Sequence, residues 1–112
     1  MKHLIHTPLL AACVLGSTLL PAPAFADEAA RMALGRKLFG TAVPACALCH
    51  TLRDAGAAGA VGPVLDELQP DAARVARALR DGIGAMPSFK ATLSEADIEA
   101  LALYVSRASR SK

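Results

Sequence analysis

Apolar residues recur at helical spacing in the second half of the chain. One stripe predicts a helix from about residue 70 to 81, with Gly82 just beyond its end. The members of this stripe lie at i, i+3, i+4 and i+7 and are Ala72, Val75, Ala76 and Leu79. Arginines lie off the stripe, as expected for the outer face of an amphipathic helix.

A second stripe predicts the last helix. Ser94 and Asp97 have the spacing of a capping box, with Asp in place of the usual Glu, so we expect the helix to begin at Ser94. Its apolar positions are Ile98, Leu101, Ala102 and Val105. The sequence therefore predicts a buried face on this helix as well.

The first predicted helix runs from residue 28 to about 39. Asp27 is placed to cap it, and Gly40 stands where a C-terminal glycine is common. Met32, Gly35 and Phe39 lie on one face. Glycine-rich segments at 55–62 and 82–89 read as loops, and no strand alternation is evident. The predicted fold class is all-α, with three main helices.

The N-terminus has the pattern of a secretory signal peptide. A weakly basic start precedes the apolar run 9–20, which is shorter than the roughly 20 residues of a membrane span. Ala24-Phe25-Ala26 then forms an A-x-A cleavage pattern. We expect residues 1–26 to be removed and residues 27–112 to form one domain in the periplasm, without a membrane span. Leu10-Ala11-Ala12-Cys13 offers lipidation at Cys13 as an alternative.

Composition indicates that the protein core is too small to be stable without a cross-link or a bound cofactor. Aromatic residues make up 4% of the chain and tryptophan is absent. Domains this small commonly depend on a disulfide, a metal or another cross-link. The net charge is only +2, with 12 Lys and Arg against 10 Asp and Glu, so no nucleic-acid role is expected.

Cys46-Ala47-Leu48-Cys49-His50 is the C-x-x-C-H motif of covalent haem attachment. Two thiols three residues apart can add to the two vinyl groups of one porphyrin. The adjacent histidine then lies beside the iron. The motif predicts one haem c, bonded through Cys46 and Cys49.

Three other interpretations of the two cysteines are open. A structural zinc site usually has four ligands in two pairs, whereas this chain has one pair and one adjacent histidine. A thioredoxin-like dithiol requires a βαβ setting, which the helical pattern lacks. A plain disulfide leaves His50 and Met86 without a role.

Met86 is the candidate for the second axial ligand of the iron. His50 is the only histidine in 27–112, which excludes two histidine ligands from one subunit. Met32 lies on the packing face of the first helix. Met86 instead stands in a loop, between Gly84 and Pro87, where the backbone can hold a thioether at a fixed point. The alternative is a loop methionine that covers apolar surface.

The order of these motifs resembles class I c-type cytochromes, from about residue 33 to 108. The matching features are C-x-x-C-H, Gly62-Pro63-x-Leu65, Met86-Pro87-x-Phe89 and a last helix with Tyr104. The resemblance implies that His50 and Met86 bind iron and that the Pro63 carbonyl accepts the second ring N–H of His50. It also implies that Gly35 and Phe39 pack against Tyr104.

One departure from the family concerns the propionates of the haem. The chain has no tryptophan, and no tyrosine lies between the haem motif and Met86. The aromatic residues that bind propionates in longer members are therefore absent.

The resemblance implies a one-electron carrier and not an enzyme. A dehydrogenase donor and an oxidase or another cytochrome as acceptor are the expected partners of a monomer or transient heterocomplex. The expected contact surface near the thioethers is formed by Ala47, Leu48, Gly84 and Ala85. An open haem that acts as an enzyme or gas sensor is the alternative if Met86 does not bind iron.

A dedicated partner of one dehydrogenase is a further alternative. Residues 50–63 and 82–89 resemble small cytochromes that accept electrons from sulfite-oxidising molybdenum enzymes. Arg74, Arg77 and Arg80 would then form a docking surface, although such stripes are also common on solvated helix faces.

Overall fold

The computed structural model describes residues 24–112. The predicted signal sequence up to residue 23 and the lipidation alternative at Cys13 lie outside this part of the chain. The described helices are α1 (Ala24–Thr41), α2 (Cys46–Cys49), α3 (Leu65–Leu68), α4 (Ala72–Asp81) and α5 (Glu95–Ala108). Strands β1 (Thr51–Leu52) and β2 (Ala57–Ala58) form one small antiparallel hairpin. The predicted all-α class with three main helices is confirmed.

Local side chains fix where α4 and α5 begin. The Asp71 carboxylate accepts a hydrogen bond from the Arg74 backbone N–H at 2.7 Å. Ser94 and Asp97 form the predicted capping box, because each side chain accepts a hydrogen bond from the other residue's backbone N–H at 3.1 Å. Such caps satisfy N–H groups that have no partner within the helix, and each contributes about 1 kcal/mol.

Helix α1 is longer than the sequence predicted. It begins at Ala24 and ends at Thr41, so Asp27 lies in its first turn and does not cap it. Alanine is the strongest helix former, and the three residues from Ala24 to Ala26 contain nothing that stops a helix. At the other end the Thr41 hydroxyl donates to the Lys37 carbonyl, and Pro44 follows with no N–H to continue the ladder.

The loop predicted at 55–62 contains the hairpin strand β2. A 3₁₀ turn over Arg53–Ala55 reverses the chain, and Gly56 completes the reversal with a φ of +62°. Thr51 then pairs with Ala58 and Leu52 with Ala57. Strands of two residues are too short to give the alternation that predicts a strand, since their position comes from the turn.

Helix α5 packs against both α1 and α4, and its contact with α1 is unusually close. A Cβ atom on Gly35 would lie 2.5 Å from the Tyr104 Cβ and would also collide with the Ala100 carbonyl oxygen. The Phe39 and Tyr104 rings meet edge to face, with centroids 6.1 Å apart. The predicted packing of Gly35 and Phe39 on Tyr104 is therefore confirmed.

The core lies on the buried face of α5, between α1 and α4. Many of its members are small, and its largest fully buried side chains are Tyr104, Phe39, Leu52, Ile98 and Leu101. All four predicted apolar positions of α5 are buried, whereas on α4 only Ala76 and Leu79 are. The other side of α4 borders a cavity.

Candidate haem site

A large cavity of about 810 Å³ lies between α2, α4 and the loops around residues 62 and 86. Six buried core residues also form part of its wall, namely Phe39, Leu65, Leu79, Phe89, Leu101 and Val105. Its volume falls within the roughly 300–1,000 Å³ of typical cofactor sites. A flat apolar group in this cavity would extend the core of the domain.

The two cysteines lie at the ends of α2, and both line the cavity. No disulfide joins them. Burial, together with the nearby Cys49, raises the pKa of the Cys46 thiol to about 11, although a backbone hydrogen bond acts in the opposite direction. A redox dithiol needs a thiol whose pKa is lowered, so this environment argues against the thioredoxin-like interpretation.

His50 follows α2 directly in an extended conformation, and its ring also lines the cavity. The Pro63 carbonyl oxygen lies 2.9 Å from Nδ1. A carbonyl can only accept, so Nδ1 carries the proton and Nε2 keeps its lone pair in the neutral ring. This tautomer is the one that binds a metal through Nε2 with a fixed ring orientation.

Two glycines bring the following loop onto the haem motif. A Cβ on Gly62 would lie 2.5 Å from His50 Cε1 and 2.8 Å from Nδ1. A Cβ on Gly59 would lie 2.6 Å from the Cys49 carbonyl carbon. The Gly62 N–H also donates to the Cys49 carbonyl at 2.7 Å. The sequence predicts Gly59 only as part of a loop, because its contact with Cys49 joins segments that are brought together by the fold.

A tight turn presents Met86 to the cavity. Ile83 and Met86 exchange two backbone hydrogen bonds of 3.0 Å, and Gly84 between them has a φ of +56°. Gly82 has a φ of +71°, and a Cβ there would lie 2.8 Å from the Met86 carbonyl oxygen. The Met86 side chain is half-buried and lines the cavity. Met32 does not line it and packs against the core, as predicted.

The structure therefore brings together all five residues predicted for the site. Cys46, Cys49, His50, Pro63 and Met86 line one cavity. Within residues 24–112, no three side chains of the His, Cys, Asp or Glu type come close enough to hold a metal ion by themselves. That finding argues against a structural zinc site built from these residues.

Two apolar side chains at the mouth of the cavity were not predicted. Val61 and Ile83 line it and are nonetheless 74% and 70% exposed. Each stands beside a glycine in a loop, which is a weak sequence signal. Of the predicted contact residues, Leu48, Gly84 and Ala85 are exposed and Ala47 is half-buried.

A polar cluster joins α1, the 3₁₀ turn and α5. The Tyr104 hydroxyl donates to Asp54 Oδ2 at 2.6 Å, and Arg36 donates to the Asp54 carbonyl at 2.8 Å. Arg36 also lies 3.7 Å from the Asp54 carboxylate. Burial, the hydrogen bond to Asp54 and its negative charge raise the pKa of Tyr104.

The fold and the site define the class of protein. A helical domain that holds C-x-x-C-H, a carbonyl-bound histidine and a loop methionine around one apolar cavity is a c-type cytochrome. Residues 30–105 match the family described as cytochrome c oxidase, cbb3-type, subunit III, and the chain belongs to this family of c-type cytochromes. Comparison with curated protein sequences gave no significant match.

Among solved structures, the chain is similar to the c-type cytochrome SorU from Sinorhizobium meliloti. The two share 54% identity, with a TM-score of 0.70, over 72% of this chain and 93% of SorU. The resemblance to c-type cytochromes is thus confirmed, and with it electron transport as the function and one covalent haem c as the cofactor. Cys46 and Cys49 are positioned for its attachment.

Proposed function

We propose that the protein is a periplasmic one-electron carrier whose haem iron is bound by His50 and Met86. The observation that carries this proposal is that both side chains line the cavity of the two attachment cysteines, with the His50 ring fixed by Pro63. When bound, the haem supplies the exchange of one electron between the ferric and ferrous states of its iron.

The chain's own residues tune and hold this centre. The carbonyl of Pro63 keeps the His50 proton on Nδ1, which leaves Nε2 free to bind the iron. This hydrogen bond also raises the basicity of the ring, so Nε2 donates its electron pair to the metal more strongly. The Met86 thioether favours ferrous iron, so His/Met ligation raises the reduction potential. The turn between Ile83 and Met86 holds the thioether through two backbone hydrogen bonds.

Two protein ligands on the iron leave no position for a substrate, so we propose a carrier and not an enzyme. Among the helices within residues 24–112, none combines the length and the hydropathy that crossing a membrane requires. We also propose that the protein is exported to the periplasm through a signal peptide that is cleaved after Ala26. Covalent haem attachment outside the cytoplasm is consistent with it.

The contact surface for redox partners is the mouth of the cavity. We place there the exposed side chains of Leu48, Val61 and Ile83, together with Gly84 and Ala85. None of these side chains carries a charge, so an encounter involves little desolvation of ions. Transient electron-transfer complexes bury small areas, which suits such a patch.

A dedicated partnership with a sulfite-oxidising dehydrogenase is the second candidate. Residues 50–63 and 82–89 favour it through their resemblance to cytochromes that accept electrons from such molybdenum enzymes. Mixing the ferric protein with a sulfite dehydrogenase and sulfite should reduce it rapidly, and the two should form a complex on a sizing column. Equal reduction rates with several unrelated dehydrogenases, and no complex, would favour the general carrier.

The axial assignment is tested by Met86→Ala, with Met32→Ala as the matched control. Loss of the thioether should abolish the long-wavelength charge-transfer band of Met-ligated ferric haem and lower the reduction potential. Met32→Ala should keep both, because Met32 packs on the core and does not line the cavity. An unchanged band and potential in Met86→Ala would show that another group binds the iron, or that the site is open.

A further inference from the structure

Four side chains that carry a charge at neutral pH line the cavity within the described residues, and all belong to α4 or to its cap. They are Asp71, Arg74, Arg77 and Asp81. The cavity is otherwise lined mainly by apolar groups and by the haem ligands. Its charge therefore comes from one helix.

The two acidic members of this set already have partners. The Asp71 carboxylate accepts the Arg74 backbone N–H at 2.7 Å and caps α4. Asp81 lies 3.7 Å from the Lys90 ammonium group. Its negative charge is therefore partly compensated on the protein.

The side chains of the two arginines have no such partners among the described residues. Within residues 24–112, the guanidinium groups of Arg74 and Arg77 form neither an ion pair nor a hydrogen bond. Arg80, the third arginine of the predicted stripe, differs in both respects: it lies 2.7 Å from Glu95 Oε2 and does not line the cavity. The stripe thus separates into one arginine bound to α5 and two cations that border the haem site.

We propose that Arg74 and Arg77 bind the two propionate carboxylates of the haem. Residues at i and i+3 have Cβ atoms about 5–6 Å apart on one helix face, so two guanidinium groups are presented side by side. The planar fork of arginine matches a carboxylate through two hydrogen bonds, which makes it the preferred partner for such groups. The assignment rests on the covalent haem and not on the identity of the axial ligands.

The position of Arg74 supports this assignment. It is the third residue of α4, where the helix dipole disfavours a cation and favours an anion. A carboxylate bound there would compensate the arginine and interact favourably with the helix end. Without such a partner, this arginine would be an unfavourable choice for the first turn.

The aromatic residues offer no other donor. Tryptophan is absent from the chain, and Tyr104 is its one tyrosine. Tyr104 donates to Asp54 and does not line the cavity. The propionates therefore lack the aromatic partners of longer family members, and the arginines of α4 replace them.

The test compares Arg74→Gln, Arg77→Gln and the double variant with Arg31→Gln in the haem-loaded protein. Arg31 pairs with Asp27 on α1 and does not line the cavity, so this control removes the same charge elsewhere. Loss of Arg74 or Arg77 should shift the reduction potential downward, because uncompensated propionate charge favours ferric iron. The resonance Raman band of propionate bending should also shift, and the double variant should shift most.

Lysine variants separate charge from geometry. Arg74→Lys and Arg77→Lys should largely retain the potential, since the charge remains, while the Raman band still shifts because the two-bond fork is lost. Glutamine variants that match Arg31→Gln in both potential and Raman band would overturn the assignment and leave a solvated helix face. The comparison of potentials holds whether or not Met86 binds iron, so the two proposals can fail separately.

Discussion

The pair of helices α1 and α5 and the loops around the cavity are stabilised in different ways. The helix pair meets through protein groups alone, with Gly35 against Ala100 and the Phe39 ring against Tyr104. The loops are instead held by close backbone approaches, of Gly59 and Gly62 to the haem motif and of Gly82 to Met86, and Val61, Ile83 and Met86 line the cavity. The helix pair is thus a conventional core, whereas the loops form a wall that a cofactor completes.

This difference explains how a small, alanine-rich chain can form a stable domain. Domains of this size bury a limited fraction of their surface and often depend on a cross-link or a cofactor. Here one wall of the cavity is the core itself, through Phe39, Leu79 and Leu101. The haem is therefore expected to stabilise both regions, and the loops more than the helix pair.

The largest expected effect is the loss of haem attachment in a Cys46→Ser, Cys49→Ser double variant. Without the two thioether bonds, the haem should be lost on a denaturing gel. The loops should lose protection from hydrogen exchange well before α1 and α5 do, because only the helix pair packs through protein groups alone. Uniform loss of protection over the whole domain would contradict the distinction between the two regions.

A second prediction compares one glycine from each region. Gly35→Ala should destabilise the fold by about 1–3 kcal/mol, the usual cost of overpacking, and leave the haem spectrum unchanged. Gly62→Ala should instead alter the spectrum, because its Cβ would lie 2.5 Å from His50 Cε1.

Gly40→Ala is the control for both variants, since a Cβ there meets nothing within 4 Å. Thermal unfolding and the visible spectrum of each variant provide the measurements. A spectral change in Gly35→Ala as large as that in Gly62→Ala would show that the two regions are not separable.

The smallest expected effect concerns Tyr104 and pH. The raised pKa of Tyr104 means that the folded state resists its ionisation. Its contribution to stability should be complete below the ordinary tyrosine value of about 10 and should be lost as pH rises above it. Tyr104→Phe should cost about 1 kcal/mol at neutral pH, the typical worth of one hydrogen bond.

Above pH 10 the difference in unfolding free energy between Tyr104→Phe and the wild type should shrink. Denaturant unfolding at pH 7 and at about pH 10.5 measures it. A difference that stays constant over this range would contradict the raised pKa of Tyr104 in the folded state.

Local chemistry determined which parts of the fold were predictable. The starts of α4 and α5 were predicted correctly because Asp71, Ser94 and Asp97 cap them within the same few residues. The start of α1 was predicted wrongly, because Asp27 resembles a cap while the alanines before it continue the helix. The hairpin was missed since it depends on a turn at Gly56 and not on an alternating pattern.

The candidate site likewise contains residues that the local sequence predicts and contacts that depend on the tertiary fold. Cys46, Cys49 and His50 could be predicted as candidate site residues from their spacing alone, and Met86 from its position in a glycine-rich loop. The contacts of Gly59 and Gly62 with the haem motif, and the separation of Arg80 from Arg74 and Arg77, required the fold. They depend on which segments lie side by side, and a single sequence does not contain that information.

The central claim is that one haem is bonded to the protein through Cys46 and Cys49. Mass spectrometry of the denatured, exported protein tests it most directly. We predict a chain that begins at Asp27 and carries the mass of one haem, with the added mass on the peptide that contains both cysteines. A colourless, stably folded protein with the mass of the bare chain would contradict the account.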